Sequence, residues 1–228
     1  MIPQMTEIIN PHANDEEIST RQIPCNRILV LDTSMFSDPQ SRKWLGTSTA
    51  SSVNTFLKLA SYAKDLRFFM PRSIRDELVN LAGTEIPLLD TQVTIKSPSI
   101  YEMNIPSALF YEFLEDLRSR FDKGLRVTED VIRKDQHKNE DEKIRILREK
   151  YRSALRDGIV DSKEDFEVIL LAKELRGTVV TADKGLQKYA DKIGVGIIDA
   201  HVFPEFLLFE VEKYNPKIIG FLKGETIW

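Results

Sequence analysis

The chain has 228 residues, 42% of them hydrophobic, and a formal net charge of −4, which suits one sizeable domain with an appendage and argues against a nonspecific nucleic-acid coat. No run of about 18 apolar residues occurs, so no membrane span is expected. The N-terminus lacks the charged-then-apolar layout of a secretory signal and Cys25 is the only cysteine, so intrachain disulfides and thiolate metal sites are excluded and a reducing cytoplasm is the expected compartment.

Residues 1–24 carry Pro3, Asn10, Pro11 and Asn14 and the acidic run Asp15, Glu16 and Glu17, with no sustained apolar period. They read as a flexible N-terminal extension or an added strand outside the core. The core opens with a strand at 27–31. A helix is expected over 49–64, where Val53, Phe56, Leu57 and Ala60 recur at helical spacing. A second short strand at 67–70 is stopped by Pro71, and a helix over 73–81 follows, with Ser73 as its N-cap and Asp76 at N3.

Beyond Gly83 the pattern becomes irregular, punctuated by Pro87, Pro98 and Pro106. Two charge-rich helical segments are expected at 106–122 and 126–156, around a turn at Lys123 and Gly124. Their apolar stripe is thin, with Leu109, Phe113 and Leu117 on one side and Val127, Val131, Ile144, Leu147, Tyr151 and Leu155 on the other. That suits an antiparallel helical hairpin inserted at 106–156 and projecting from the core. The core resumes with a helix at 162–175, strands at 178–181 and 195–198, and a last helix at 201–214. Alternating strands and helices imply an α/β fold with a central parallel sheet flanked by helices, formed by 27–100 and 157–228.

Four carboxylates carry the chemistry. Asp161 and Asp165 stand four apart where an apolar helix begins, so both would leave one face of its first turn. Asp183 and Asp32 follow β-branched strands, where an open parallel sheet presents its ligand-binding end. Clustered carboxylates repel unless protons or cations intervene. A hard divalent ion, Mg²⁺ or Mn²⁺, answers that need, and phosphodiester hydrolysis by water is the chemistry it serves. Such hydrolysis leaves a 5′-phosphate. Attack by an RNA 2′-OH normally needs His or Lys as proton carriers, and His12, His137 and His201 all lie away from these acids. Each acid also has a structural reading: Asp32 as a turn residue, Asp161 and Asp183 as helix caps. Ser34 and Thr181 are supporting candidates that would bond a ligand carboxylate or a metal water, or satisfy the local backbone. Asp199 reads as the cap of the last helix.

The second hairpin helix concentrates Lys143, Arg145, Arg148, Lys150, Arg152 and Arg156 against Glu142 and Glu149. Arg145, Arg148, Arg152 and Arg156 keep near one helical face and would grip RNA phosphates, Arg148 and Arg152 first among them. The alternative is a solvated face of Arg–Glu pairs. A projecting hairpin offers Phe110, Phe113 and Leu117 little core. Packing on a second subunit's hairpin would cover them, and a heterologous contact that closes makes a ring; folding back onto the same domain is the alternative.

The order of motifs resembles the PIN-domain nucleases: Asp32-Thr33-Ser34 is similar to their first acidic motif, Asp161 and Asp165 to the pair opening the third, and Thr181-Ala182-Asp183 to the last. Glu77 falls where that family often has an acid and would be an outer metal ligand. With the long inserted hairpin, the stretches at 27–34, 70–78 and 161–183 resemble the HARP group, minimal protein-only RNase P enzymes also described as RNA ligase partner proteins. The resemblance covers about 27–228. It implies metal-dependent removal of the 5′ leader from precursor tRNA by homo-oligomers, large rings joined through their hairpins. The competing readings are a PIN ribonuclease with another RNA target and a non-catalytic RNA-binding partner associated with an RNA ligase.

Overall fold

In the computed structural model the described residues are 27–84, 86–104, 107–134, 139–156 and 162–215. Five parallel strands form one sheet in the order β3-β2-β1-β4-β5, with β1 Ile28–Leu31, β2 Arg67–Met70, β3 Val93–Ile95, β4 Thr178–Thr181 and β5 Gly196–Asp199. This agrees with the expected α/β architecture. The central strand, Ile28-Leu-Val-Leu31, is buried along its whole length, as a strand covered on both faces must be. Its neighbour β4 is buried likewise.

Nine α-helices and a 3₁₀ helix at Ser41–Trp44 complete the described residues: α1 Ser34–Ser37, α2 Thr49–Ala60, α3 Arg72–Ala82, α4 Leu89–Gln92, α5 Ser107–Lys134, α6 Glu140–Arg156, α7 Lys163–Leu175, α8 Lys184–Lys192 and α9 Phe203–Tyr214. α2 packs on α3 and α9, and α7 packs on α8 and over β1 and β4. Phe56 of α2 anchors one aromatic cluster, edge-on to Phe36 at 5.4 Å and to Phe68 at 5.1 Å between ring centroids. α7 sinks Val168, Ile169, Leu171 and Ala172 completely.

Several sequence expectations shift. α2 ends at Ala60, short of residue 64. It begins at a capping box in which Ser48 and Ser51 satisfy each other's backbone N–H groups. Pro71, not Ser73, stands at the N-cap of α3. Ser73 instead donates to Glu167 Oε2 on α7 at 2.6 Å. The irregular stretch after Gly83 contains α4 and the edge strand β3. β5 begins one residue later than expected and includes Asp199.

The expected turn at Lys123 and Gly124 is absent, because α5 runs helically through both to Lys134. Glycine is disfavoured inside a helix by about 1 kcal/mol relative to Ala, and here the reason for it is contact. A Cβ on Gly124 would lie 2.5 Å from Cε2 of Tyr151 on α6. Gly124 is ten residues before the end of α5 and Tyr151 eleven after the start of α6, a pairing that antiparallel packing produces. These two helices make their most extensive contacts with each other. α5 leaves Phe110, Leu114, Phe121, Leu125 and Ile132 exposed, at 57%, 44%, 66%, 59% and 70%. At 100° per residue these five fall within about 60° of arc, one continuous stripe.

Candidate active site

The carboxylates gather because parallel strands deliver their C-terminal ends to one edge. Asp32 follows β1 directly, Asp183 follows β4 by two residues, and α3 and α7 start at the same edge and pack on each other. Between them lies a cleft of about 640 Å³. Its described lining is six carboxylates (Asp32, Asp76, Glu77, Glu164, Asp165 and Asp183), five hydroxyls (Thr33, Ser34, Ser37, Ser73 and Ser162) and the amide of Asn80. No cation is among them.

Asp32 is the most constrained of these acids. It is 4% exposed, and its Oδ2 accepts the hydroxyls of both Ser34, at 2.5 Å, and Thr181, at 2.7 Å. Burial pushes its carboxyl above the usual carboxylate range, while those two hydroxyls pull the other way. Ser34 Oγ also accepts the backbone N–H of Ala182 at 2.9 Å, and Thr181 Oγ1 accepts that of Asp183 at 3.0 Å. The two hydroxyls therefore join the end of β1 to the end of β4 and hold Asp32 at the junction. Thr33 donates to Glu77 Oε2 at 2.8 Å, which ties α3 to the same loop across 44 residues of sequence.

Asp183 caps α8, its Oδ1 accepting the Leu186 N–H at 2.8 Å. The structural role weighed for it is real, and it lines the cleft as well. Asp165 sits in the first turn of α7, where the Ser162 side chain takes its N–H at 3.0 Å. Asp161 lies outside the described residues. The described helix has Ser162 as its N-cap and begins at Lys163.

Asp199 is not the cap of α9, whose N-cap is Val202 without a side-chain bond. It pairs with Lys184 Nζ at 2.6 Å and with His201 Nδ1 at 2.5 Å, and these contacts outweigh its burial and hold its carboxyl well below the usual range.

Arg145, Arg148 and Arg152 are exposed on α6, away from the cleft lining; the side chain of Arg156 lies outside the described residues. Asp76 and Glu164 are cleft acids the sequence reading passed over. The signal for Asp76 was present: Ser73, Asp76, Glu77 and Asn80 stand at i, i+3, i+4 and i+7, a polar stripe on one face of α3.

Among the described residues no three of the carboxylates are grouped closely enough to hold one ion. Their chemistry nonetheless fits a hard divalent cation: the donors are oxygens throughout, and Asp32 carries a carboxylate out of water with no described Lys or Arg beside it in the cleft.

A profile of the PINc domain ribonuclease family matches residues 28–211. The chain is 42% identical over 184 residues to an RNA-free ribonuclease P of Thermodesulfovibrio yellowstonii, covering 80% of this chain and 94% of that protein. The protein of the same description from Thermococcus kodakarensis is 44% identical over 196 residues, covering 82% and 98%. That from Pyrococcus furiosus is 43% identical over 188 residues, covering 81% and 94%.

Proposed function

The chain belongs to the RNA-free ribonuclease P family of PINc-domain endoribonucleases, and from that premise we propose that it removes the 5′ leader from precursor tRNA by hydrolysis in the acidic cleft, in the cytoplasm. The observation that carries this reading is the cleft itself, whose described lining holds six carboxylates and no Lys or Arg. Asp32, Asp165 and Asp183, with Asp161, would close around Mg²⁺ or Mn²⁺, and Glu77 would be an outer ligand. When bound, the ion activates a water for in-line attack and offsets charge on the phosphoryl oxygens. Ser34 and Thr181 keep Oδ2 of Asp32 in place, so that the buried carboxylate meets its ligand in one orientation. Water adds to phosphorus as the bond to the leader's 3′ oxygen breaks, leaving a 5′-phosphate on the tRNA.

A cleft lined by carboxylates repels a polyanion, so attraction must come from elsewhere in the chain. In this reading 27–100 and 157–228 form the nuclease body, 106–156 the inserted arm, and 1–24 an extension outside both. Arg145, Arg148, Arg152 and Arg156 on α6 grip phosphates and orient the RNA by shape rather than sequence. Arg148→Ala with Arg152→Ala is expected to lower precursor affinity. It also flattens the dependence of log affinity on log salt by roughly 1.5, the value for two lost phosphate contacts. Filter binding across a salt series checks it, and an unchanged slope removes these two residues from the interface. The exposed stripe of α5 supports self-association through the arms, with ring closure as the end state.

The reading is tested by incubating 5′-labelled precursor tRNA with the protein in Mg²⁺, beside an EDTA control and Asp165→Ala. A cut at the mature 5′ end, lost in both controls, supports it. Cuts elsewhere would point to another RNA target, and binding without cutting would point to a partner of an RNA ligase.

A further inference from the structure

The chain leaves the sheet at Ile95, passes through α5 and α6, and returns at Ser162, the N-cap of α7. Its outward path is tied to that same helix. Glu174 Oε1 accepts Lys96 Nζ at 2.6 Å and contacts Ser99 Oγ at 3.4 Å, while Oε2 accepts the Ser99 backbone N–H at 2.8 Å. The segment it holds is folded tightly, with Ile100 N–H on Pro98 O and Glu102 N–H on Ser99 O, both at 3.0 Å. Thus the α5–α6 excursion is mounted on α7 at two points, twelve residues apart, or about 18 Å along a helix.

α7 is a stiff mount. Val168, Ile169, Leu171 and Ala172 are completely buried in the core, and the N-terminal turn of the helix carries Asp165 into the cleft. The rod that bears a cleft carboxylate at one end therefore holds, near the other, the segment at Lys96–Ser99 that precedes α5 in sequence. The Glu174 side chain is 20% exposed, and the bonds from Lys96 and Ser99 keep it below its usual pKa, so it stays ionised across the working pH range.

We propose that Glu174 is a positioning residue for cleavage: by holding Lys96 and Ser99 against α7 it fixes where RNA gripped by the α5–α6 pair meets the carboxylate cleft. This rests on α6 as the RNA grip. Glu174 touches neither substrate nor metal; it sets the registration between the two.

The test compares wild type, Glu174→Ala and Glu174→Gln on full precursor tRNA and on a short unstructured RNA that cannot span cleft and arm. Affinity, single-turnover rate, cut position and melting temperature are read for each. For Glu174→Ala the expected result is precursor affinity within about two-fold of wild type, with the precursor cleavage rate down on the order of ten-fold or more, as misplacement remote from the chemistry produces. Cuts should spread to neighbouring phosphodiesters while short-RNA cleavage holds. Glu174→Gln, which keeps an acceptor for the Ser99 N–H, should fall between. Unchanged precursor rate and a single cut position overturn the proposal. So does a parallel loss on both RNAs together with a lower melting temperature, since that marks a tie serving stability alone. The wild-type reaction reports separately on the tRNA reading, and the ratio of variant to wild type on Glu174.

Discussion

Replacing Asp32 with Asn is expected to stabilise the protein in EDTA while lowering RNA cleavage in Mg²⁺ by more than the roughly 100-fold that loss of an outer partner of a metal site costs. The two effects share one cause. In the metal-free fold a carboxylate is held out of water with hydroxyl and backbone N–H partners and no Lys or Arg in the described cleft lining, and its charge is the unfavourable part. An amide at the same place is neutral, and its NH₂ can donate to the Ser34 and Thr181 oxygens once those hydroxyls rotate. A rise of a few degrees in melting temperature is the expected size, since about 1 kcal/mol moves a domain of this length by roughly 2–4 °C.

The pH dependence follows from the same burial. Because the native carboxyl of Asp32 lies above its ordinary value of 3.8, the folded protein takes up a proton before the unfolded chain does. Its penalty is full above the raised native pKa and is relieved as pH falls from there toward 3.8. The gap in melting temperature between variant and wild type should therefore narrow on acidification through that window. Asp38, Glu174 and Asp199 have depressed values, so their contributions are lost on falling below the ordinary carboxylate range, in a lower window. Thermal scans in EDTA from neutral pH downward check the prediction, and an Asn variant that melts below wild type at neutral pH refutes it.

The second large effect concerns assembly. Phe121→Glu with Leu125→Glu, set in the exposed stripe of α5, should convert a multimer to monomers. Each side chain would contribute about 1.5–3 kcal/mol when buried against a partner. Losing both, and adding charge, weakens each contact by more than about a hundred-fold. Melting of the single chain should change little, because both residues are solvent-facing within it. Light scattering at micromolar concentration decides: equal masses for wild type and variant would show that the stripe is no interface.

Much of this architecture is visible in the sequence wherever a residue's local pattern and its tertiary fate agree. β1, β2 and β4 are apolar or β-branched runs followed by turn residues, and α7 is a long apolar segment. β3 escaped because three residues, Val93–Ile95, between α4 and Pro98 carry no period to detect. Gly124 misled because a glycine forced by the neighbouring Tyr151 looks, in one dimension, like a helix break. Ser73 misled because its hydroxyl serves Glu167, 94 residues away, rather than its own helix end. At the site, the positions of Asp32, Asp165 and Asp183 could be read from strand and helix ends. The convergence of two hydroxyls on one oxygen of Asp32 could not, since Thr181 is 149 residues distant.

That distance has a consequence for the newly made protein. β1 has β2 on one side and β4 on the other, so a nascent chain can pair its first two strands early but must wait for the last third to supply the other neighbour. While Asp32 and Glu77 are already synthesised, Asp165 and Asp183 are not, and the set is complete only when about four-fifths of the 228 residues exist. A chain that has not yet reached Asp183 therefore lacks part of the carboxylate lining of the cleft, however well β1 and β2 have paired.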